Sequence, residues 1–426
     1  MAFVRTQTHL IRGKYMKKQI ITIALGFVAG GFLSNAAADV SYEKPPVFQA
    51  AHILPAKLLK SPYHSVGSKV PNDGQMNHYT IKSKFGTVTA DSTAELKIRV
   101  DEMKALAAME RVSNSKQFTR QVKEGGKNVV AGAKALVTRP VDTVKGAFAG
   151  IGALAGRAGD ALMGDPPSDA EDSRIENAIG FSSTKRDYAA EFHVDPYSKN
   201  PLLQKRLEEI SWYGYSGKIT ASAVSAVIPG GVGVFVSAAK TSDWLEGIPV
   251  QTPPSELRKA NREKLAGMGV SADVIDLFVG NTVYSPVLQT KLVQELARMN
   301  NTADRGNFVK FAVLARSANV AFFRAHQAEM YANLNKVTPV ERFVAVGTNA
   351  AARLANGTVV FCFPSDYLVW TENNARLAES LDRQVSALSD VRGKEIRIAR
   401  GISPQARKAL ESLGWKVLNN QKGFST

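Results

Sequence analysis

The chain has 426 residues, 44% apolar and 22% charged, with 54 Lys+Arg against 38 Asp+Glu and a formal charge of +16. This is a globular balance, long enough for two or three hydrophobic cores, and it excludes a largely disordered chain. With Cys362 as the single cysteine there is no internal disulfide, and the run VVFCFP around it reads as core, not as a nucleophile's setting.

The stretch MKKQIITIALGFVAGGFLSNAAADV, from Met16, has the three parts of a secretory signal. Lys17 and Lys18 are its basic start, Ile20 to Leu33 its apolar run, and Ala36, Ala37 and Ala38 its small residues. The apolar run is 14 residues, short of the ~20 that span a bilayer. Residues 1–38 are therefore expected to be a signal peptide cleaved after Ala38. They hold five basic and no acidic residues, so the remainder carries +11. An exported, periplasmic protein of this charge is expected to meet an anionic membrane surface or another envelope protein. Nucleic acid is not expected as a partner.

Residues 39–93 read as a proline-punctuated lead-in and a β meander. Strands are expected near 65–70, 76–83 and 86–90, with turns at Asn72-Asp73-Gly74 and Gly86. Ser92 and Glu95 have the spacing of a capping box. Leu96, Val100, Met103 and Ala107 would form one apolar face of the helix that follows.

Residues 94–163 are expected to be amphipathic helices. One places Arg120, Lys123, Lys127 and Lys134 opposite Phe118, Val122, Val129, Ala133 and Leu136, a pattern that can lie on an anionic membrane surface. After Arg139-Pro140, Val141, Val144, Phe148, Ile151, Ala155, Ala158 and Leu162 recur at a period of 3.5, the seam of helix-on-helix packing. Residues 164–190 read as an acidic, exposed linker. Residues 191–335 read as a helical bundle, with Pro201 and Pro286 opening helices that share the motif P-(L/V)-L-Q-x-(K/R)-L, and with serine caps at 255, 271 and 285. A longer helix is expected from about Asn307 to Leu334. Within the bundle, Ile219 to Ala239 is uncharged but broken by Pro229-Gly230-Gly231, so it suits a buried hairpin or a membrane-inserted one.

From about Lys336 the period changes to strand, hairpin, helix, strand, helix, strand. Asn356-Gly357 marks the hairpin, and Thr371 and Ser403 cap the helices. Residues 336–426 thus read as an α/β domain with parallel pairing through crossovers. The expected fold class is α+β, mostly helical: a small N-terminal β meander, a central helical bundle and a C-terminal α/β domain with a partly parallel sheet.

No zincin, nucleophile-elbow, dinucleotide or Walker motif is present. His52, His64 and His78, with Asp73, have no compact ligand spacing, so no metal and no cofactor are expected. The best ligand-binding candidates follow predicted strands: Ser365 and Asp366 after one, Arg400 and Ser403 after another. Their plainer roles are cap, turn and solvated charge, so no catalytic residue is assigned. The expected function is a non-enzymatic, envelope-associated scaffold or binding module with membrane-surface contact. The alternatives are a periplasmic hydrolase or transferase using the α/β domain, and a membrane-inserting protein acting through 219–239.

Overall fold

The computed structural model describes residues 41–115, 172–215, 231–232, 236 and 240–419. The chain divides into Met1–Ser41 and Tyr42–Thr426, and everything below belongs to the second unit. The expected signal peptide, the cationic helix with Arg120, Lys123, Lys127 and Lys134, and the glycine-rich stripe to 163 lie outside the described residues. So does nearly all of 219–239. Among the described residues no helix is long and apolar enough to cross a membrane.

The fold is α+β and mostly helical. Short elements open it: β1 (Val47–Gln49), α1 (Ala50–Ile53) and α2 (Ala56–Leu59), then β2 (Ser65–Val66) and β3 (Lys69–Pro71). Strands β4 (Tyr79–Ser83) and β5 (Gly86–Ala90) pair antiparallel across the turn at Gly86, whose φ is +135°. β2 joins β4, and β1 pairs with β3. Helix α3 (Thr93–Ser113) starts at the expected cap, where Ser92 Oγ accepts the Glu95 amide at 3.0 Å. The Glu95 carboxylate reaches one residue further back than a standard box, accepting the Asp91 amide at 2.8 Å.

Helix α3 is not the one-faced amphipathic helix expected. Arg99, Asp101, Glu102 and Lys104 are buried with Leu96, Val100, Met103 and Leu106, so it is surrounded on most sides. The linker assignment for 164–190 is corrected from Asp172 onward. Residues Asp172–Glu191 form α4, whose Tyr188 and Ala189, with Phe192 beyond, are buried against α3 and the meander. Acidic residues that read as linker also suit a helix start, where the macrodipole favours negative charge. Helix α5 (Pro201–Tyr215) begins at the expected proline.

In the bundle, α6 (Pro254–Gly267) starts at Pro254, so Ser255 lies inside the helix and is not its cap. Helix α7 (Ala272–Val279) follows Ser271, and α8 (Pro286–Ala297) is capped by Ser285 Oγ, which accepts the Leu288 amide at 3.1 Å. The single helix expected over 307–334 is two: α9 (Gly306–Val313) and α10 (Ala318–Val337). Ser317 Oγ accepts the Val320 amide at 3.3 Å and starts the second, a cap hidden inside an apolar run.

The C-terminal sheet has the order β12-β10-β8-β7-β6. Strands β6 (Val340–Val346), β7 (Asn349–Leu354) and β8 (Thr358–Phe363) run antiparallel in turn. Strands β8, β10 (Gly393–Ile398) and β12 (Lys416–Asn419) are parallel, joined through α11 (Glu372–Ser386) and α12 (Pro404–Ser412). Two short strands, β9 (Tyr367–Leu368) and β11 (Gly401–Ile402), pair parallel beyond the main sheet. One face packs Phe361, Ile396 and Ile398 against α11 and α12. The other packs Phe343, Ala352, Val360 and Cys362 into the same core as α8, α9 and α10. The boundary expected at 336 is therefore not a boundary in packing. A sheet with two apolar faces needs two layers of helix, and the bundle supplies one of them.

Candidate functional site

Open sheets gather chemistry at the carboxyl ends of parallel strands. Here β8 ends at Phe363 and β10 at Ile398, and the pairing of β9 with β11 brings residues 365–368 beside 400–403. The Gly401 amide donates to the Asp366 carbonyl at 2.9 Å. Ser365, Asp366, Arg400 and Ser403 thus sit in one neighbourhood, but most of their polar groups face inward. Ser365 is fully buried, and its Oγ has no hydrogen-bond partner among the described residues. Ser403 Oγ accepts the Ala406 amide at 3.0 Å and caps α12, and it donates to Glu43. Ser403 is thus the helix cap that its plainer reading expects, and Ser365 lies in the core.

Asp366 is also structural. Its Oδ2 accepts the amides of Asn77 at 3.1 Å and Thr93 at 2.9 Å, so it sits on the first turn of α3. Behind it runs a buried chain, Asn72 to Asn77 at 2.9 Å, Asn77 to the Tyr79 hydroxyl at 3.1 Å, and Tyr79 to Thr93 Oγ1 at 2.8 Å. Burial pushes the Asp366 pKa up, while the Thr93 and Asn77 donors and the Arg400 charge oppose it. The turn Asn72–Gln75 is laced to the same edge: the Gln75 carbonyl accepts Asp366 and Tyr367 amides, and the Gly74 carbonyl accepts Val369. Asn374 and Gln75 add a side-chain bond of 2.7 Å. The meander is therefore fastened to the carboxyl edge of the sheet, and that edge is a joint.

What remains accessible lies one turn further along α3. Lys97 follows Thr93 by four residues, which places it on the same helix face, about 6 Å beyond the Asp366 contact. Its pKa is lowered, first by burial and then by the charges of Arg400 and Lys57; Glu329 and Asp366 act the other way. Glu329, on α10, is raised, first by burial, with Lys291 opposing. Both side chains are half-buried. Among the described residues neither is held by a hydrogen bond or an ion pair. The two helices are tied at their starts by Asn319 donating to Asp91 at 3.0 Å. Between them Trp244 stacks on His326, with ring centroids 4.6 Å apart, and burial lowers the His326 pKa to about 4.

Nothing in the sequence singled out Lys97 or Glu329. Helix α3 carries acidic and basic residues throughout its first half, and which of them stays unengaged depends on partners far along the chain. The usable signal was the surplus of charge on a helix with that much apolar surface.

A second feature is a cavity of about 140 Å³ on another side of α3, bordered by Asp101, Glu102, Asp195, Val236, Ser242 and Trp244. Its carboxylates are largely engaged. Asp101 accepts the amides of Thr241 and Ser242, both at 2.9 Å at closest. Glu102 accepts Arg99 at 3.0 Å and Asn200 at 2.9 Å. Asp195 takes the Tyr197 amide at 2.8 Å, and burial raises its pKa to about 7.

The three histidines of the N-terminal region have separate surroundings. His52 is exposed, His64 lies between Ser61 Oγ at 2.8 Å and the Leu58 carbonyl at 2.9 Å, and His78 between Asp91 and Asp73 at 3.0 and 3.1 Å. Among the described residues no group of His, Cys, Asp and Glu is arranged to hold a metal ion. Cys362 is buried, and desolvation pushes its thiol pKa well up.

Comparison with family models, with curated proteins and with solved structures finds no match for this chain. A functional reading therefore rests on the chain's own sequence and on the chemistry of these sites.

Proposed function

We propose that this chain is an exported protein of the cell envelope that works as a binding module and not as an enzyme. One observation carries the reading. The groups best placed for chemistry at the sheet edge, Asp366, Ser403 and Ser365, are a helix-end ligand, a cap and a core residue. Export is supported by the segment from Met16 to Ala38, and contact with an anionic membrane surface by Arg120, Lys123, Lys127 and Lys134.

The test is fractionation of cells expressing the full chain with a C-terminal tag. The expected result is a form shortened by residues 1–38, recovered with the envelope and partly released from membranes by high salt. Joint substitution of Arg120, Lys123, Lys127 and Lys134 by Gln should lower the membrane-bound share. An unshortened protein recovered from the cytosol would overturn the reading.

A further inference from the structure

Helix α4 ends in a Schellman turn, and that turn sets a carboxylate on the wall of the 140 Å³ cavity beside α3. The His193 amide donates to the Ala190 carbonyl at 3.0 Å and the Val194 amide to the Ala189 carbonyl at 2.9 Å, with His193 at φ +53°. Val194 and Ala189 are both buried, which holds the turn in place. Asp195 follows directly. Its Oδ1 accepts the Tyr197 amide at 2.8 Å, and its carbonyl accepts the Ser198 amide at 3.1 Å. Its Oδ2 makes no hydrogen bond or ion pair among the described residues.

The place disfavours an anion. Asp195 stands just past the C-terminus of α4, where the helix dipole is negative. Burial first, and then the Glu102 charge, raise its pKa to about 7 against the Tyr197 amide and Arg99. Arg99 is itself held by Glu95 and Glu102. Glu246, exposed, adds a further negative charge to the cavity wall, and Lys240 is paired with Asp243 at 2.9 Å. Ser242 Oγ accepts the Trp244 amide at 3.1 Å and keeps a second lone pair. The rest of the wall is apolar, with Ile98, Val194, Val236 and Leu245.

We propose that this cavity binds a small primary alkylammonium ion, its nitrogen donating to Asp195 Oδ2 and its alkyl chain lying against Ile98, Val194, Val236 and Leu245. The proposal rests on the binding-module reading and supplies its ligand class. A guanidinium presents two parallel donors to two carboxylate oxygens, whereas Asp195 has one to offer, and a single ammonium matches that. An anion would meet Asp195 and Glu102 with like charge, and a neutral apolar molecule would leave Oδ2 without a donor. A cavity of about 150 Å³ holds one benzene ring, so this one takes a ligand of roughly six heavy atoms.

The experiment is calorimetric titration of the full chain with butylamine and with 1-butanol, which has the same size and no charge. It is run at about pH 8.5, above the value of about 7 at Asp195 and below the roughly 10.4 of an alkylammonium. Asp195→Asn keeps the oxygen that accepts the Tyr197 amide and removes a charge the site disfavours, so it should fold, as circular dichroism would verify. Leu245→Phe narrows the space without changing charge, and Glu372→Gln, on α11, is the control. The expected result is saturable butylamine binding, weakened about tenfold or more in Asp195→Asn, weakened in Leu245→Phe and unaltered in the control. Butanol should bind at least about tenfold more weakly. No saturable butylamine binding overturns the site, as does butanol binding equally well. Binding that either Asp195→Asn or Leu245→Phe leaves intact also overturns it. Should Asp195→Asn fail to fold, butanol and Leu245→Phe decide. If the site fails while the chain still fractionates with the envelope, the broader reading stands. If Asp195-dependent binding appears in a chain confined to the cytosol, the site stands and the envelope reading falls.

Discussion

The carboxylate of Asp366 accepts the main-chain amide of Thr93 at 2.9 Å across 273 positions of sequence. That bond, with its companion from Asn77, sets the start of α3 on the carboxyl edge of the C-terminal sheet. Removing the acceptor strands two buried donors, at a cost of about 1–3 kcal/mol each. Asp366→Ala is expected to lower the urea midpoint strongly, and Asp366→Asn less, since its amide oxygen can still accept. Equal effects in the two variants would mean that the amides find another partner.

Arg99 and Glu102 make a buried ion pair inside α3, with Arg99 Nη1 donating to both carboxylate oxygens at 3.1 and 3.0 Å. Ser198 also donates to Glu102, and Asn200 donates at 2.9 Å. Glu102→Ala strips the buried Asn200 amide of its acceptor and leaves Arg99 held by Glu95 at 2.6 Å and Ser198 at 3.3 Å, and should cost about 3 kcal/mol. Arg99→Met with Glu102→Met should recover much of that loss, because the apolar pair needs no desolvation. A double-mutant cycle on unfolding free energies measures the coupling, and additive losses would contradict it.

His78 is raised to about 10, by its bond to Asp73 first and then by its bond to Asp91. Its folded pKa lies above the ordinary 6.5, so its contribution is complete below pH 6.5 and fades as pH rises toward about 10. Asp91 is lowered, chiefly by His78. Asp73 is pushed up by burial but more than offset by His78 and the Met76 and Gln75 amides. These carboxylates contribute above the ordinary 3.8 and lose that contribution as pH falls through their lowered values. His326 acts oppositely. Lowered to about 4, it lets the unfolded chain take up a proton first, so stability falls between pH 6.5 and 4. Urea midpoints across pH 4–10 should show both flanks. His78→Ala should flatten the alkaline one and leave the acid one in place.

Two glycines should respond with opposite signs. Gly357 has φ +81°, and a Cβ there would come within 3.1 Å of the Asp390 carbonyl oxygen and of Arg392 Cγ. Gly357→Ala is expected to destabilise by about 1 kcal/mol or more. Gly267, in the last turn of α6, has no neighbour within 4 Å of an added Cβ. Gly267→Ala should stabilise by about 0.5–1 kcal/mol. Thermal midpoints of the two variants test the pair, and equal shifts would refute the distinction.

Local signals were legible where local chemistry is enough. The Ser92 cap, the Asn356-Gly357 hairpin, Thr371 and Ser403 each act on amides within four residues, and each appears as expected. The misreadings have a shared cause. Apolar residues on both sides of Ser317 give 307–334 the local pattern of one continuous helix, and the acidic run before Arg174 gives the start of α4 the pattern of a linker. Ser365 and Asp366 follow a strand as the local pattern predicts, but the meander residues Gln75 and Asn77 that bond Asp366 lie far away in the chain, and no window of a few residues contains them.

The sequence by itself determined the class of fold, the order of most elements and the parallel pairing of the C-terminal strands, because periodicity, caps and turn residues act over short distances. The tertiary structure decided what the polar residues do. Whether Asp366 is an acid in a pocket or the partner of a helix start depends on Thr93, and whether Lys97 is a solvated charge or an unengaged one depends on Arg400, Lys57 and Glu329. Charge–charge forces and desolvation act through space, between groups that become neighbours when the chain folds.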